Sequence, residues 1–188
     1  ARVGMLPPKL AQIIVNLSGA QPGGTVLDPF CGSGVILQEA LLMGLNAIGT
    51  DLEPRMIDYS RANLEWLAAK NSLGGYKLSA GYATDYQWTE PVSTVASDTY
   101  LGRPFSAPPT PEQLHQTVSD VNIILKKFLI NLAAQTPAGL RLCLAVPAWQ
   151  TGGRFKRLPT LDSLEDLGYT RTSFAHVRPE ELIYHREG

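Results

Sequence analysis

The sequence predicts an α/β fold in which a mostly parallel sheet carries helices on both faces. Short apolar segments alternate along the chain with longer segments whose apolar residues recur at helical spacing, the order expected of a parallel sheet with right-handed crossovers. Acidic residues close or follow several predicted strands, at Asp28, Asp51, Asp85 and Asp98. Ligands of such folds bind at the carboxyl ends of the strands, so these residues mark the candidate site.

Size and composition fit a single globular domain. The 188 residues can bury a substantial core, and 44% hydrophobic with 18% charged residues is an ordinary balance. No apolar run approaches the roughly 20 residues needed to cross a membrane, and no charged-then-apolar signal segment opens the chain. We therefore expect one domain over residues 1–188, without a linker or an internal repeat, and no membrane partner.

Cysteine and histidine usage predicts no metal site. The two cysteines, Cys31 and Cys143, form no C-x-x-C pair, and His115, His176 and His185 are scattered without the spacing of metal ligands. So few cysteines also indicate no disulfide framework. A reducing, cytoplasmic setting is the expectation.

Charge argues against strong nucleic-acid binding by this chain alone. The formal net charge is −1, whereas phosphate neutralisation calls for a basic excess. Basic residues do cluster around one aromatic residue in Gly152-Gly153-Arg154-Phe155-Lys156-Arg157. This stretch is either a solvated loop or a loop that faces nucleic acid.

Local signals bound each element of the first half of the chain. Pro7 and Pro8 open a helix with an apolar face, and Pro22-Gly23-Gly24 separates it from the first strand. A second helix follows a glycine turn and ends at a Gly44 cap. The predicted order is helix 7–17, strand 25–28, helix 36–44, strand 47–50, helix 54–70 and strand 77–80.

The second half continues the alternation after a short fourth strand, 92–96. The proline-rich stretch 106–111 is predicted to be a loop inside the domain, because a long amphipathic helix follows it. The apolar run 140–146 is typical of a buried parallel strand. The remaining elements are a helix over 161–167 and an edge hairpin of strands 171–177 and 182–185, which brings the strand count to seven.

The turn after the first strand predicts the ligand. Gly32 and Gly34 form a Gly-x-Gly turn before a helix, and Leu37 takes the place of the third glycine of a dinucleotide site. Asp28 would repel a phosphate and favours a cationic or amine-bearing ligand. S-adenosylmethionine carries an ammonium, a carboxylate, a ribose and an adenine. It fits this turn.

A second acid supports that choice. The run Ala47-Ile48-Gly49-Thr50 ends in Asp51, where the second strand of a βαβ unit places an acid on ribose hydroxyls. Strand, glycine turn, helix, strand and acid is a specific order. This order favours a ligand-binding role for Gly32 and Gly34 over an ordinary tight turn between a strand and a helix.

These residues resemble a known family. The segments D-P-F-C-G-S-G (28–34), G-T-D (49–51), A-T-D (83–85) and S-D-T-Y-L-G (97–102) are similar to the motifs of class I S-adenosylmethionine-dependent methyltransferases. More narrowly, the first motif with the upstream helix Pro7-Pro8-Lys9-Leu10-Ala11 resembles the tRNA guanosine N2-methyltransferases whose catalytic domain follows a THUMP RNA-binding domain. The resemblance covers nearly the whole chain.

The resemblance implies a Rossmann-like fold with seven strands, an antiparallel terminal hairpin and a defined cofactor site. Asp28 and the backbone of 32–34 would hold the methionine moiety, and Asp51 would bond the ribose. Leu52 would pack on the adenine, whose amine would donate to Asp85. The implied cofactor-binding residues are Asp28, Pro29, Phe30, Cys31, Gly32, Ser33, Gly34, Asp51, Leu52, Thr84 and Asp85.

The fourth motif departs from the family pattern of an acid or asparagine, two residues that are often prolines, and an aromatic. Keeping Tyr100 in register places Ser97 at the acid position, whereas keeping Asp98 as the acid brings the aromatic one residue early. The candidate catalytic residues are therefore Ser97, Asp98 and Tyr100. We expect Asp98, or a carbonyl beside it, to accept from an exocyclic amine while Tyr100 stacks on the extruded base.

Three functions are consistent with these motifs. The first is methylation of guanine N2 in tRNA, the second is methylation of an adenine or cytosine amine in DNA, and the third is a non-catalytic S-adenosylmethionine-binding partner subunit. The near-neutral charge and the abrupt start at an amphipathic helix suit an excised catalytic domain. RNA binding would then come largely from a domain outside this chain.

Overall fold

The computed structural model describes residues 6–105, 107–151 and 153–173. A five-stranded sheet has the order β3-β2-β1-β4-β5, and all its neighbouring strands are parallel. The strands are β1 (Thr25–Asp28), β2 (Asn46–Asp51), β3 (Tyr76–Ala80), β4 (Thr94–Asp98) and β5 (Arg141–Ala145). From β1 the chain first adds β2 and β3 on one side and then β4 and β5 on the other, so the direction of winding changes between β1 and β4. Open α/β sheets form a ligand crevice at such a point.

Four α-helices accompany these strands: one precedes β1, and the other three connect β1 to β2, β2 to β3 and β4 to β5. They are α1 (Pro8–Leu17), α2 (Val35–Leu42), α3 (Pro54–Ala68) and α4 (Pro111–Ala133). Three of them have proline in the first turn, where a missing N–H costs nothing. At α4, Thr110 and Gln113 also form a capping box, which fixes where the helix starts after the proline-rich loop.

Alternate residues of the central strands pack against opposite helical layers. Val26 and Ala96 join the apolar cluster formed with α1 and α2. Leu27 and Val95 join the cluster formed with α4, in which Phe128 is fully buried. The helices therefore cover both faces of the sheet, as predicted, and leave its carboxyl edge for the loops.

The parallel part of the fold matches the prediction, but seven strands in one sheet are not confirmed. Residues 171–173 are irregular, and the rest of the predicted terminal hairpin lies outside the described residues. An antiparallel hairpin instead joins β6 (Trp149–Thr151) and β7 (Arg154–Lys156) as a separate two-stranded sheet. Its intervening Gly-Gly pair is a hairpin signal, so part of the predicted basic loop is strand.

The short helix predicted over 161–167 is helical in two separate pieces rather than one. Two 3-10 helices, Pro159–Asp162 and Glu165–Leu167, occupy this region. Leu158, Leu161, Leu164 and Leu167 recur every three residues, which is the period of a 3-10 helix rather than of an α-helix. All four leucines pack against the cluster formed with α4.

Among residues 6–105, 107–151 and 153–173, no helix has the length and apolar character required to span a membrane.

Candidate functional site

Three predicted strand-end acids meet at one edge of the sheet. Asp28 ends β1, Asp51 ends β2 and Asp98 ends β4. The strands are parallel and in register, so the three carboxylates lie at the same carboxyl edge. Asp85 lies beyond β3, in a turn closed by its N–H to the carbonyl of Tyr82 at 3.1 Å.

The glycine turn is tied to the neighbouring strand and to α3. The Gly34 N–H donates to the Cys31 carbonyl at 2.7 Å, and the Cys31 N–H donates to the Thr50 carbonyl at 2.9 Å. From α3, the Ser60 hydroxyl donates to the carbonyl of Gly32 at 2.7 Å. The Asn63 amide donates to the carbonyl of Ser33 at 2.9 Å, so the turn is held from two sides.

The two glycines of the turn serve different purposes. Both have positive φ, 51° at Gly32 and 83° at Gly34. A Cβ at Gly34 would lie 2.9 Å from Ser60 Oγ, so this glycine lets α3 approach the turn. A Cβ at Gly32 would meet no atom within 4 Å. Gly32 therefore leaves open space beside the backbone.

Asp51 accepts two backbone hydrogen bonds. Gly32 N–H donates to Oδ2 at 2.9 Å and Glu53 N–H donates to Oδ1 at 2.9 Å. The carboxylate thus connects the glycine turn to the start of α3. Each oxygen keeps a second lone pair that can accept from a hydroxyl group.

Asp28 is a buried carboxyl group, with only 2% of its surface exposed. The Ser97 hydroxyl donates to its Oδ1 at 2.6 Å, and the Phe30 N–H donates to the same oxygen at 3.2 Å. Burial raises the pKa of Asp28 to about 7, against the lowering effect of these two hydrogen bonds. Asp98 and Asp51 add a smaller raising contribution to this pKa through charge repulsion.

The middle of the first motif packs inward. Pro29 is buried, and its carbonyl accepts from the Thr50 hydroxyl at 3.3 Å. Phe30 makes an edge-to-face contact with Phe128 of α4, at 5.2 Å between ring centroids. Burial raises the pKa of the Cys31 thiol far above its usual range, so this cysteine stays protonated.

The residues predicted to surround an adenine lie in two loops. Leu52, directly after β2, is 48% exposed. Thr84 is half-buried and Asp85 is exposed in the turn after β3. Asn131 of α4 donates to the carbonyl of Ala83 at 3.1 Å and so anchors this turn. Sequence reasoning missed Asn131, because the contact joins the turn to a helix far along the chain.

The predicted catalytic residues alternate between buried and accessible positions. Ser97 is fully buried beneath the edge, while Asp98 is half-buried at the end of β4. Thr99 is buried, and both its N–H and its hydroxyl donate to the carbonyl of Ala145, at 3.0 and 2.9 Å. Tyr100 is exposed on the following loop.

A cavity of about 450 Å³ opens beside Tyr100. Gly102, with φ of 88°, brings this loop against α4, where a Cβ would lie 2.9 Å from the Thr117 methyl group. Arg103 and Asp120 line the same cavity. Sequence reasoning missed these two residues, although the glycine next to Arg103 is a local sign of a tight turn.

Metal ligands do not cluster in the part of the chain that the structure describes. No group of three His, Cys, Asp or Glu side chains within residues 6–105, 107–151 and 153–173 could hold a metal ion.

The sequence matches a family model over residues 1–127. The model is described as UPF0020, the RMKL-like methyltransferase domain. The chain belongs to this family. The resemblance to class I methyltransferases, whose methyl donor is S-adenosylmethionine, is thereby confirmed.

Curated relatives carry a narrower name. A tRNA (guanine(10)-N2)-dimethyltransferase of Methanothermobacter thermautotrophicus is 33% identical over 144 residues, which cover 77% of this chain and 39% of the relative. A protein of the same name from Pyrococcus abyssi is 34% identical over 114 residues, covering 59% of this chain and 33% of the relative. The chain therefore spans well under half the length of these relatives.

Solved structures show the same fold. TrmN from Thermus thermophilus superposes with a TM-score of 0.56 at 23% identity, covering 82% of this chain and 48% of that chain. A TehB-like methyltransferase from Corynebacterium glutamicum gives 0.53 at 18% identity, covering 84% and 71%. At these identities the similarity establishes the Rossmann-like methyltransferase fold of the chain.

The geometry of the turn fits the methyl donor of this family. The open space at Gly32 lets a ligand approach the backbone. The buried carboxyl group of Asp28 lies at the start of the same turn, where it accepts from the Phe30 N–H. Asp51 retains acceptor capacity and Leu52 presents an exposed apolar surface. Together they offer partners for hydroxyl groups and for an aromatic base.

Proposed function

We propose that this domain transfers a methyl group from S-adenosylmethionine to the N2 amine of guanine in tRNA, in the cytoplasm. The Ser97–Asp28 hydrogen bond carries the proposal, because it joins the end of β1, where the glycine turn begins, to the end of β4. This link supports a shared site for the residues predicted to bind the cofactor and the base. The names of the curated relatives support guanine N2 as the acceptor.

The cofactor would be held by the carboxylates and the glycine turn. Asp28 with the backbone of 32–34 would bind the methionine moiety, Asp51 the ribose, and Leu52 with Thr84 and Asp85 the adenine. When bound, the cofactor supplies an electrophilic methyl group on a positively charged sulfur. A cationic ligand near Asp28 favours its carboxylate form, which burial disfavours in the free protein.

Asp98 is the acceptor that would act on the base. An exocyclic amine conjugated to a base ring is a poor nucleophile, so an acceptor must take its proton and direct its lone pair. Ser97 is buried and donates to Asp28, which favours Asp98 over Ser97 for contact with the amine. Ser97 is then a positioning residue, and the exposed Tyr100 would stack on the extruded base.

Basic residues near the site support an RNA substrate. The hairpin of β6 and β7 begins four residues after Ala145, the end of β5, and so belongs to the carboxyl side of the sheet. Arg154 and Lys156 are exposed on it, and the exposed Arg157 follows it directly. The chain carries a net charge of −1. We therefore infer that a further RNA-binding domain, outside these residues, provides most of the affinity for tRNA.

Methyl transfer can be tested with labelled cofactor. The chain is incubated with S-adenosylmethionine carrying a labelled methyl group and with either unmodified tRNA or DNA. The nucleosides are then separated and their masses are measured by mass spectrometry. We expect label in N2-methylguanosine or N2,N2-dimethylguanosine from tRNA, and the masses distinguish one added methyl group from two. Label in DNA alone would identify a DNA amino-methyltransferase, and cofactor binding without any transfer would identify a non-catalytic subunit.

The role of Asp98 is tested in the same assay. Asp98→Ala is expected to lower kcat by roughly 100-fold or more, the scale of general acid–base catalysis, while calorimetry finds an unchanged cofactor Kd. Asp166→Ala, which removes an exposed carboxylate from a 3-10 helix, is the matched control. Transfer at the wild-type rate by Asp98→Ala would contradict the assignment.

A further inference from the structure

The outer face of α3 carries two cation–aromatic pairs. Arg55 Nε donates to the Tyr59 hydroxyl at 2.7 Å, and its guanidinium carbon lies 5.2 Å from the centroid of that ring. Lys70, two residues after the helix ends, places its ammonium 3.7 Å from the centroid of the Trp66 ring. Arg55, Tyr59, Trp66 and Lys70 are called the α3 stripe below.

The four residues of the stripe follow one face of α3. At about 100° per residue, Arg55, Tyr59 and Trp66 fall within roughly 40° of one another around the helix. At about 1.5 Å per residue, Trp66 lies roughly 16 Å along the axis from Arg55. The contact between Lys70 and the Trp66 ring extends the same face by one further cation.

The stripe makes no contribution to the core. The buried side chains of α3 are Ile57, Ser60, Leu64 and Leu67. Trp66 is instead 60% exposed, the largest fraction among the large apolar side chains in the described part of the chain, and Tyr59 is 41% exposed. Tryptophan and tyrosine are enriched at binding surfaces, because each ring joins an apolar body to a polar group.

The stripe is positively charged, although the whole chain carries a net charge of −1. Its four side chains carry two positive charges and no negative one. Asp58 and Glu65 lie roughly 80–100° around α3 from the centre of the stripe, and Glu53 is the N-cap residue of the helix, two positions before Arg55. Asp58 is moreover paired with Arg61 at 3.2 Å. Positive charge with interleaved aromatic rings is the chemistry that binds phosphates together with unstacked bases.

We propose that the α3 stripe binds the RNA substrate outside the target nucleotide. Arg55 and Lys70 hold phosphates, and the rings of Tyr59 and Trp66 contact unpaired bases or riboses. Because α3 begins three residues after Asp51, the Arg55 end of the stripe adjoins the candidate site and the Trp66 end leads away from it. The identity of the RNA as substrate rests on the proposed function.

The test measures RNA affinity rather than activity. Binding of a tRNA transcript to the 188-residue chain is followed by fluorescence anisotropy at several salt concentrations. The double variant Trp66→Ala/Lys70→Gln is expected to weaken binding about tenfold or more and to lower the salt slope by about one. The conservative double variant Trp66→Phe/Lys70→Arg retains a ring and a cation, and it is expected to bind like the wild type.

The matched control removes the same single positive charge from the other side of the sheet. Lys126→Gln lies on α4, where the lysine is exposed, and is expected to change tRNA affinity less than twofold. A wild-type chain that binds no tRNA at low salt would overturn the proposal. So would stripe variants that bind normally, or a control that loses as much affinity. A dimer that dissociates on Trp66→Ala, with RNA binding intact, would assign the stripe to a second copy instead.

The methyl-transfer assay separates this proposal from the proposed function. Guanine methylation by the wild type, together with unaltered RNA binding by the stripe variants, would overturn the stripe alone. Weakened RNA binding by those variants, in a chain that methylates no guanine, would overturn the function alone.

Discussion

The hydroxyl of Ser97 donates a hydrogen bond of 2.6 Å to Oδ1 of Asp28, across 69 positions of the sequence. Both side chains are buried, Asp28 at the end of β1 and Ser97 near the end of β4. This contact fixes the glycine turn relative to the loop that continues to Asp98 and Tyr100. A charged Asp28 is nevertheless disfavoured, because two hydrogen bonds do not offset the loss of water around the carboxylate.

Folding stability is expected to fall as the pH rises through neutrality because of Asp28. Its pKa is raised from an ordinary 3.8 to about 7 in the folded chain. The stabilisation from holding the proton is therefore complete below about pH 4 and is lost as the pH passes 7. Asp28→Asn removes this titration. Between about pH 5 and about pH 8, the unfolding free energy of the variant should gain roughly 2–3 kcal/mol relative to the wild type.

Urea unfolding at the two pH values measures this difference. Asp166→Asn, an exposed carboxylate in a 3-10 helix, is the control and should show no comparable change. A difference between Asp28→Asn and the wild type that is constant over the whole range would show that Asp28 is ionised throughout.

Removing the Ser97 hydroxyl should destabilise the chain most where Asp28 is ionised. A hydrogen bond to a buried carboxylate is worth about 1–3 kcal/mol, and a bond to the neutral acid is worth less. Ser97→Ala should therefore cost more at about pH 8 than at about pH 5, and raise the pKa of Asp28 further. A double-mutant cycle with Asp28→Asn isolates the pair. Ser79→Ala, on the edge strand β3, is the comparison, and zero coupling between Ser97 and Asp28 would refute the link.

The two glycines of the turn should separate stability from ligand binding. Alanine at a positive φ costs about 1–2 kcal/mol by itself, which Gly23→Ala measures at φ of 76° with nothing within 4 Å. Gly34→Ala should cost more, because its Cβ meets Ser60. Gly32→Ala should match Gly23→Ala in unfolding free energy yet weaken S-adenosylmethionine binding in calorimetry. Normal cofactor affinity in Gly32→Ala would remove the turn from the cofactor site.

Much of the parallel sheet could be predicted because its signals are local. β1 was expected at 25–28 and occupies those residues, since an apolar run lies there between two glycine-containing turns. The same alternation led to the meeting of Asp28, Asp51 and Asp98 at one edge. Parallel strands whose ends carry acids can place them nowhere else.

What the sequence did not reveal depends on contacts between distant segments. The burial of Asp28 and its bond to Ser97 follow from how β4 lies beside β1, and no local pattern encodes that distance. The elements over residues 149–167 were predicted only in part, for another reason. The two strands are only three residues long, too short to give a clear alternating pattern, and the leucines of this region follow a 3-10 period.

Close packing between α2 and β2 should depend on Gly49 rather than on a third glycine in the turn motif. Leu37 occupies that third position and is fully buried. A Cβ at Gly49 would lie 2.5 Å from Leu37 Cδ1 and 2.9 Å from Leu78 Cδ2, so the strand supplies the space that the helix does not. Gly49→Ala should cost about 1–3 kcal/mol of unfolding free energy, whereas Gly75→Ala, whose Cβ comes no nearer than 3.5 Å to Asn46, should cost little. Gly49→Ala and Leu37→Ala should also compensate each other in part. Leu37→Ala alone should cost about 2–5 kcal/mol by opening a cavity. Combined with Gly49→Ala, it should destabilise the chain by less than the sum of the two separate costs, because the new methyl group enters that cavity. Additive costs in urea unfolding would mean that the two residues do not compete for one space.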